Sequence, residues 1–280
     1  MKNIFAFNTA EASDDRFLPD GKLFITNTLS DANQAEIDAL QNEASDHSKK
    51  MRIPVVFTVL KIICYIAGMG ILGGFIKADV PFFEAVKRLP VAFIICIASL
   101  AAGILIQLIE NTKKKKYLKS DEFSSFTQKA DAAAKRAKFI LGIPDDAPET
   151  DVLCFEYRIK KGKAVTANAY EFMPLEMYTY ADNEKLYISD CSMVFTININ
   201  DITEITRINR KTMLECWNKE ESIYSKKYKK YKMSMNKHGA VALRYYYSIR
   251  ISNSNGDYEI LVPPYEIDRF AKLTKLNITE

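Results

Sequence analysis

The sequence predicts an α+β membrane protein, in which a two-helix transmembrane hairpin precedes an antiparallel β-barrel closed by one helix. Three observations predict it. Residues 53–76 and 91–109 are apolar almost throughout, although the whole chain is only 48% hydrophobic. From about residue 150 onward, short runs rich in β-branched and aromatic residues alternate with turn-forming clusters. The segment YEIDRFAKLTKL then places Ile267, Phe270, Leu273 and Leu276 at helical spacing.

Taken in order, residues 1–50 read as a cytosolic segment. IFAF and KLFITNTL flank the turn-like LPDGK, which predicts a small hairpin over residues 3–29. Ser30 and Asp31 then cap a helix running from about 32 to 50, with Ile37 and Leu40 on one face. Residues 51–110 hold the hairpin. At 1.5 Å per residue its helices would be about 36 and 29 Å long, enough for a hydrocarbon core of about 30 Å. No small-residue cleavage site follows a short apolar core, so the first run does not read as a removable signal. Lys49, Lys50 and Arg52 precede the first helix, and Lys113 to Lys116 with Lys119 follow the second. Cations concentrate on the cytosolic side, so both chain ends are expected there, in a multi-pass protein of the cytoplasmic membrane. Phe82 and Phe83 of the connecting loop are expected at the outer interface.

Residues 111–149 comprise the basic run, a helix over 121–141 stopped by Gly142 and Pro144, and the linker IPDDAPETD. Residues 150–280 form the β-domain. Its strands are VLCFEYRI, EFMPLEMYTYA, KLYIS, MVFTIN, ITEITRIN, YYYSIRIS and YEILVP, with turns at Gly162, at Asp182–Asn183 and at Asn255–Gly256.

Several chemistries lack their residues. A formal net charge of +4 on 280 residues argues against a nucleic-acid binder. Five scattered cysteines without a CxxC pair, and only His47 and His238, argue against a disulfide framework or a zinc site. No GxSxG elbow, Walker loop or HExxH helix occurs, so no catalytic residue and no cofactor are expected. Gly68, Gly70 and Gly73 spell GxGxxG inside an apolar run, where close helix packing explains them better than nucleotide binding. The spacings Gly70/Gly74, Ser99/Gly103 and Ala98/Ala102 would admit the partner helix or a neighbouring copy, which leaves a homo-oligomer open. Asp145, Asp146, Glu149 and Asp151 surround two prolines and read as a solvated linker.

Two groups stand out as candidate sites. In WNKEESIYSKKYKKYKMSMNKHG, Lys226, Lys227, Lys229, Lys230 and Lys232 alternate with Tyr228 and Tyr231. Cations beside aromatic faces suit anionic lipid headgroups or an acidic protein partner, while a solvated loop whose tyrosines cover the domain has the same pattern. The second is Lys61, about 12 Å along its helix from Ile53. It marks either an intramembrane polar site, with Gln107 as its hydrogen-bonding neighbour, or a side chain that snorkels to the interface.

The strand series ending in an amphipathic helix resembles the pleckstrin-homology-like domain. The stretches LGIPDDAPETDVLCFEYRIKKGK, KLYISDCSMVFTININDITEI, CWNKE and YEILVPPYEIDRF resemble an uncharacterised family of bacterial membrane proteins with a two-helix hairpin before such a domain. That resemblance implies fold and membrane location, without activity or site residues. The expected function is a membrane-tethered binding or scaffolding module that engages a protein partner or anionic lipid. A component of an oligomeric channel or transporter is the alternative.

Overall fold

The computed structural model describes every residue except 12–14, 78–80, 168–170, 216, 218, 220, 237–238 and 280. It is a mixed α+β chain in two units, one formed by Ala35–Ala133 and the other by Met1–Gln34 together with Ala134–Glu280.

The helical unit is built on α1 (Asp31–Met51), α2 (Val55–Ile76), α3 (Phe82–Arg88), α4 (Pro90–Leu118) and α5 (Asp121–Leu141), of which α1 and α5 run on into the other unit. Proline marks the starts: Pro54 and Pro81 sit at the N-caps of α2 and α3, and Pro90 in the first turn of α4. Glycine sets how closely α2 and α4 approach. A Cβ on Gly68 would lie 2.6 Å from the Leu100 side chain, and one on Gly103 would lie 3.1 Å from the Tyr65 ring. Cys96 Sγ also donates to the Gly68 carbonyl at 3.2 Å. By contrast, a methyl group added at Gly70, Gly73 or Gly74 would meet nothing within 4 Å, so these three lie away from the α2/α4 contact.

Only 6% of the most apolar stretch of α2 and 17% of that of α4 is buried, too little for the core helices of a water-soluble protein. Both helices are long and apolar enough to cross a membrane. Where α1, α4 and α5 meet, His47 is buried, its Nδ1 2.7 Å from the Tyr117 hydroxyl and its ring 4.3 Å from that of Phe126.

The other unit is a ten-stranded sheet. Its principal strands are β1 (Ile25–Thr28), β2 (Glu149–Cys154), β3 (Met173–Ala181), β4 (Lys185–Ser189), β5 (Met193–Asn198), β6 (Ile202–Ile208), β7 (Tyr246–Asn253), β8 (Gly256–Val262) and, after helix α6 (Ile267–Thr274), β9 (Ile278–Thr279). They lie in the order β9-β6-β7-β8-β2-β3-β4-β5-β1, and Lys2–Asn3 adds a short parallel pairing to β8. The residues of β7 and β8 alternate between faces, so Ile249, Ile251, Tyr258, Ile260 and Val262 all enter the core. Phe270 and Ile267 of α6 cover the same core.

The expected closed barrel is not formed. β5 and β6 are joined by the single turn Ile199–Asp201, which can span only about 14 Å, so the sheet curls and brings these two strands together at that corner. Each of them already pairs with a further strand on its outer side: β1 lies antiparallel to β5, and β9 parallel to β6. The edges that would have to meet are therefore occupied, and the sheet stays open.

The expected hairpin over residues 3–29 is also replaced. Its two apolar stretches do not pair with each other: IFAF follows the Lys2–Asn3 pairing with β8 and bridges through Phe7 to Phe17 and Glu156, β1 pairs with β5, and the Pro19–Lys22 sequence forms a helical turn. Ile4, Phe5, Phe7, Phe17 and Phe24 are buried in the same core as β2 to β8. The sheet unit is thus assembled from both flanks of the hairpin and is larger than a domain of residues 150–280. A two-stranded hairpin (Tyr157–Lys160 with Lys163–Thr166) and a three-stranded sheet (Thr212–Leu214, Ser234–Met235 and Val241–Leu243) are separate from the large sheet.

Candidate functional site

The lysine and tyrosine segment lies between two strands of the small three-stranded sheet, and a second apolar cluster holds it in place. Leu214, Val241 and Leu243 of that sheet pack with Leu153, Phe172, Tyr246 and Leu261, and Ile223 from the segment joins them at 2% exposure. Lys226–Lys229 then form one helical turn. That turn directs Tyr228 inward, where its ring meets Trp217 and Tyr265 edge-on, each with centroids 5.3 Å away. Tyr231 also faces Tyr265, with ring centroids 6.3 Å apart.

Beneath these rings is a buried polar cluster with no local signature in the sequence. Asp151, in β2, is 2% exposed and receives two groups: the Tyr265 hydroxyl donates to Oδ2 at 2.8 Å, and Lys219 Nζ lies 3.1 Å from Oδ1. Lys219 also reaches Glu176 at 3.4 Å. Burial works against the Lys219 charge, but the two carboxylates outweigh it and hold the ammonium above its ordinary range. Burial, reinforced by the Asp151 charge, pushes the Tyr265 phenol well above the ordinary tyrosine range. Glu266 is raised by burial, with Arg269 opposing that shift. The solvated acidic linker expected around Asp151 needs correction at this residue: β2 begins at Glu149, so Asp151 lies inside the sheet and acts as an anchor.

The outer side of the segment is cationic. Lys226, Lys227, Lys229, Lys230 and Lys232 are all exposed. Lys227 lies 3.8 Å from Glu221 and 5.1 Å from the centre of the Tyr228 ring. Lys230 stands 4.7 Å over the Tyr231 ring. Of the residues singled out by sequence, the five lysines face solvent and Tyr231 is half-buried, whereas Tyr228 is an internal anchor inaccessible to a ligand. Tyr224 at 72% and Met235 at 43% exposure flank the cations. Met235 is invisible to sequence reasoning because its exposure follows from the short Ser234–Met235 strand and has no local periodic signal.

In the helical unit Lys61 and Gln107 come together as expected, with Lys61 Nζ donating to Gln107 Oε1 at 3.0 Å. The structure adds a third member: Glu110, one turn beyond Gln107, forms an ion pair with Lys61. Gln107 and Glu110 are three residues apart on α4, so they share a face. That spacing is the signal that could have found it. Lys61 is 16% and Glu110 28% exposed, and Gln107 passes the network to Asn111 at 3.2 Å.

A cavity of about 600 Å³ lies elsewhere in the sheet unit, between Met1–Asn3 and Phe172, Arg210 and Tyr246. Four of its charged groups are paired, Arg210 with Glu171 at 2.9 Å and Lys2 with Asp20 at 2.9 Å, and Glu259 accepts from the Ser248 hydroxyl at 2.7 Å. Among the described residues no group of three or more His, Cys, Asp and Glu side chains is placed to hold a metal ion. No protein-family model, no curated protein and no solved structure matches the chain.

Proposed function

We propose that this protein is a membrane-anchored binding module, in which the α2/α4 hairpin crosses the bilayer and a discontinuous sheet unit carries the contact face at Lys226–Lys232. One observation carries the reading: residues before and after the hairpin fold into a single core, with Phe5 and Phe17 both packed on Phe195 at 4.9 Å. Flanks that share a core must emerge on the same side of any membrane between them, so the apolar stretch has to cross an even number of times. Two spanning helices meet that requirement. The cations at Lys49, Lys50, Arg52 and Lys113 to Lys116 favour the cytosol as that side. The channel reading is weaker, because both partners of Lys61 lie on the same hairpin, where Glu110 neutralises it and Gln107 accepts its hydrogen bond.

Topology is the test. A short epitope inserted at the exposed positions Thr9 and Ser254 should be reached by antibody from one face of sealed vesicles, and an epitope at Phe83, which is 79% exposed, from the other. Epitopes at Thr9 and Ser254 on opposite faces would sink the proposal.

A further inference from the structure

The outer side of the lysine segment can be assigned a ligand from its own chemistry. Among the described residues only Lys227 of the five lysines has a carboxylate within 4 Å. Between Trp217 and Ala240 the sequence has lysines and no arginine. Arginine would supply the planar fork that recognises individual carboxylates, whereas lysine is a mobile point charge suited to a diffuse anionic surface. The exposed Tyr224 and Met235 supply the aromatic and apolar groups that accompany cations where proteins meet a headgroup layer. Ile223 and Tyr228 fix the segment from inside, which leaves the charged side free to meet a surface without reorganising its support.

We propose that this face docks on the anionic phospholipid headgroups of the bilayer that the hairpin crosses, with the lysines against phosphates and Tyr224 and Met235 at the interfacial zone. The proposal rests on the membrane-anchored reading above and adds the chemical class of its ligand. Docking by point charges is screened within about 10 Å at 0.1 M salt, so it must weaken as salt rises.

The test uses the full chain in nanodiscs of phosphatidylcholine alone or of phosphatidylcholine with phosphatidylglycerol. Acetylation rates at Lys226, Lys229, Lys230 and Lys232 are measured by mass spectrometry, with Lys272 as an exposed reference in the same unit. At low salt the segment's lysines should react more slowly in the anionic discs only, and about 0.5 M salt should abolish the difference. Each lysine near such a surface is worth about fivefold in docking, so Lys229→Gln with Lys230→Gln should expose Lys226 and Lys232 again. Equal rates in the two discs at low salt, or protection that is unchanged by salt, would overturn the proposal and favour an acidic protein partner. Protease protection of Val55–Ile76, read in the same samples, separates the two failures. A protected hairpin with freely reacting lysines defeats the lipid assignment alone, whereas an unprotected hairpin defeats the anchored reading with it.

Discussion

Phe195 has no exposed surface, and both rings that touch it, Phe5 and Phe17, come from the far end of the chain. Truncating it to alanine is expected to cost about 3–5 kcal/mol in chemical denaturation. Phe5→Ala should fall in the same range, and the double variant should lose about 0.5–1.5 kcal/mol less than the sum, because the pair contact is then counted once. Strict additivity would mean that the N-terminal segment does not pack on the sheet. Glu266 gives a pH signature. Burial holds its carboxyl above the ordinary range, so its contribution to stability is complete below the unfolded-state value and is lost as pH rises through the raised native value. Glu266→Gln should therefore compare most favourably with the parent at neutral pH, and its advantage in melting temperature should shrink towards pH 5. At this scale the Lys61–Gln107 contact is legible in the sequence, since two apolar helices in a hairpin set equal depths opposite one another. Glu110 is harder to read, because the apolar run ends at Ile109 and only its three-residue spacing from Gln107 points to the shared face.

Elements differ in how much of their definition is local. The helices over 121–141 and about 32–50 are legible from caps and breakers, and the structure has them as Asp121–Leu141 and Asp31–Met51. The β-hairpin turns are legible for the same reason: Gly162 has φ +74° and Lys160 pairs directly with Lys163. Which glycine faces which helix has no such local signature. The contact geometry separates them: Gly68→Val should force α2 and α4 apart, whereas Gly73→Ala should be tolerated. Thermal unfolding in detergent checks this, with a clear loss expected for the first and little change for the second. Similar losses at both positions would show that the Gly73 face is also packed.

For the whole molecule, the missing information is non-local. Strands over 150–263 can be read from alternation, but the closure of a barrel depends on what pairs with its last edges, and β1 and β9 lie outside that series. Likewise, nothing in IFAF states that it shares a core with residues as distant in the chain as Val152, Phe195 and Tyr258. The consequence is testable. A fragment of residues 150–280 should fail to fold, because it lacks five buried aromatic or aliphatic side chains and the β1 edge. Residues 1–34 joined by a flexible linker to residues 134–280 should give dispersed amide resonances and a cooperative melt. A well-folded 150–280 fragment would contradict the discontinuous unit.

The same discontinuity imposes a schedule on synthesis. Phe5, Phe7, Phe17 and Phe24 leave the ribosome well before Ile260 and Val262, the strand residues that enclose them. At about 5–20 residues per second the interval from Phe24 to Val262 lasts roughly 12 to 50 s. During that interval the hairpin can enter the bilayer while the first aromatic residues wait without their core. On the membrane-anchored reading, insertion of the hairpin and folding of the sheet unit are then successive rather than competing events, and the early segment is a ready client for whatever shields nascent apolar chains. Arrest of translation between Asn198 and Val262 would prolong that exposure, whereas a brief delay in delivering the hairpin to the membrane would fall within a wait the early segment already undergoes.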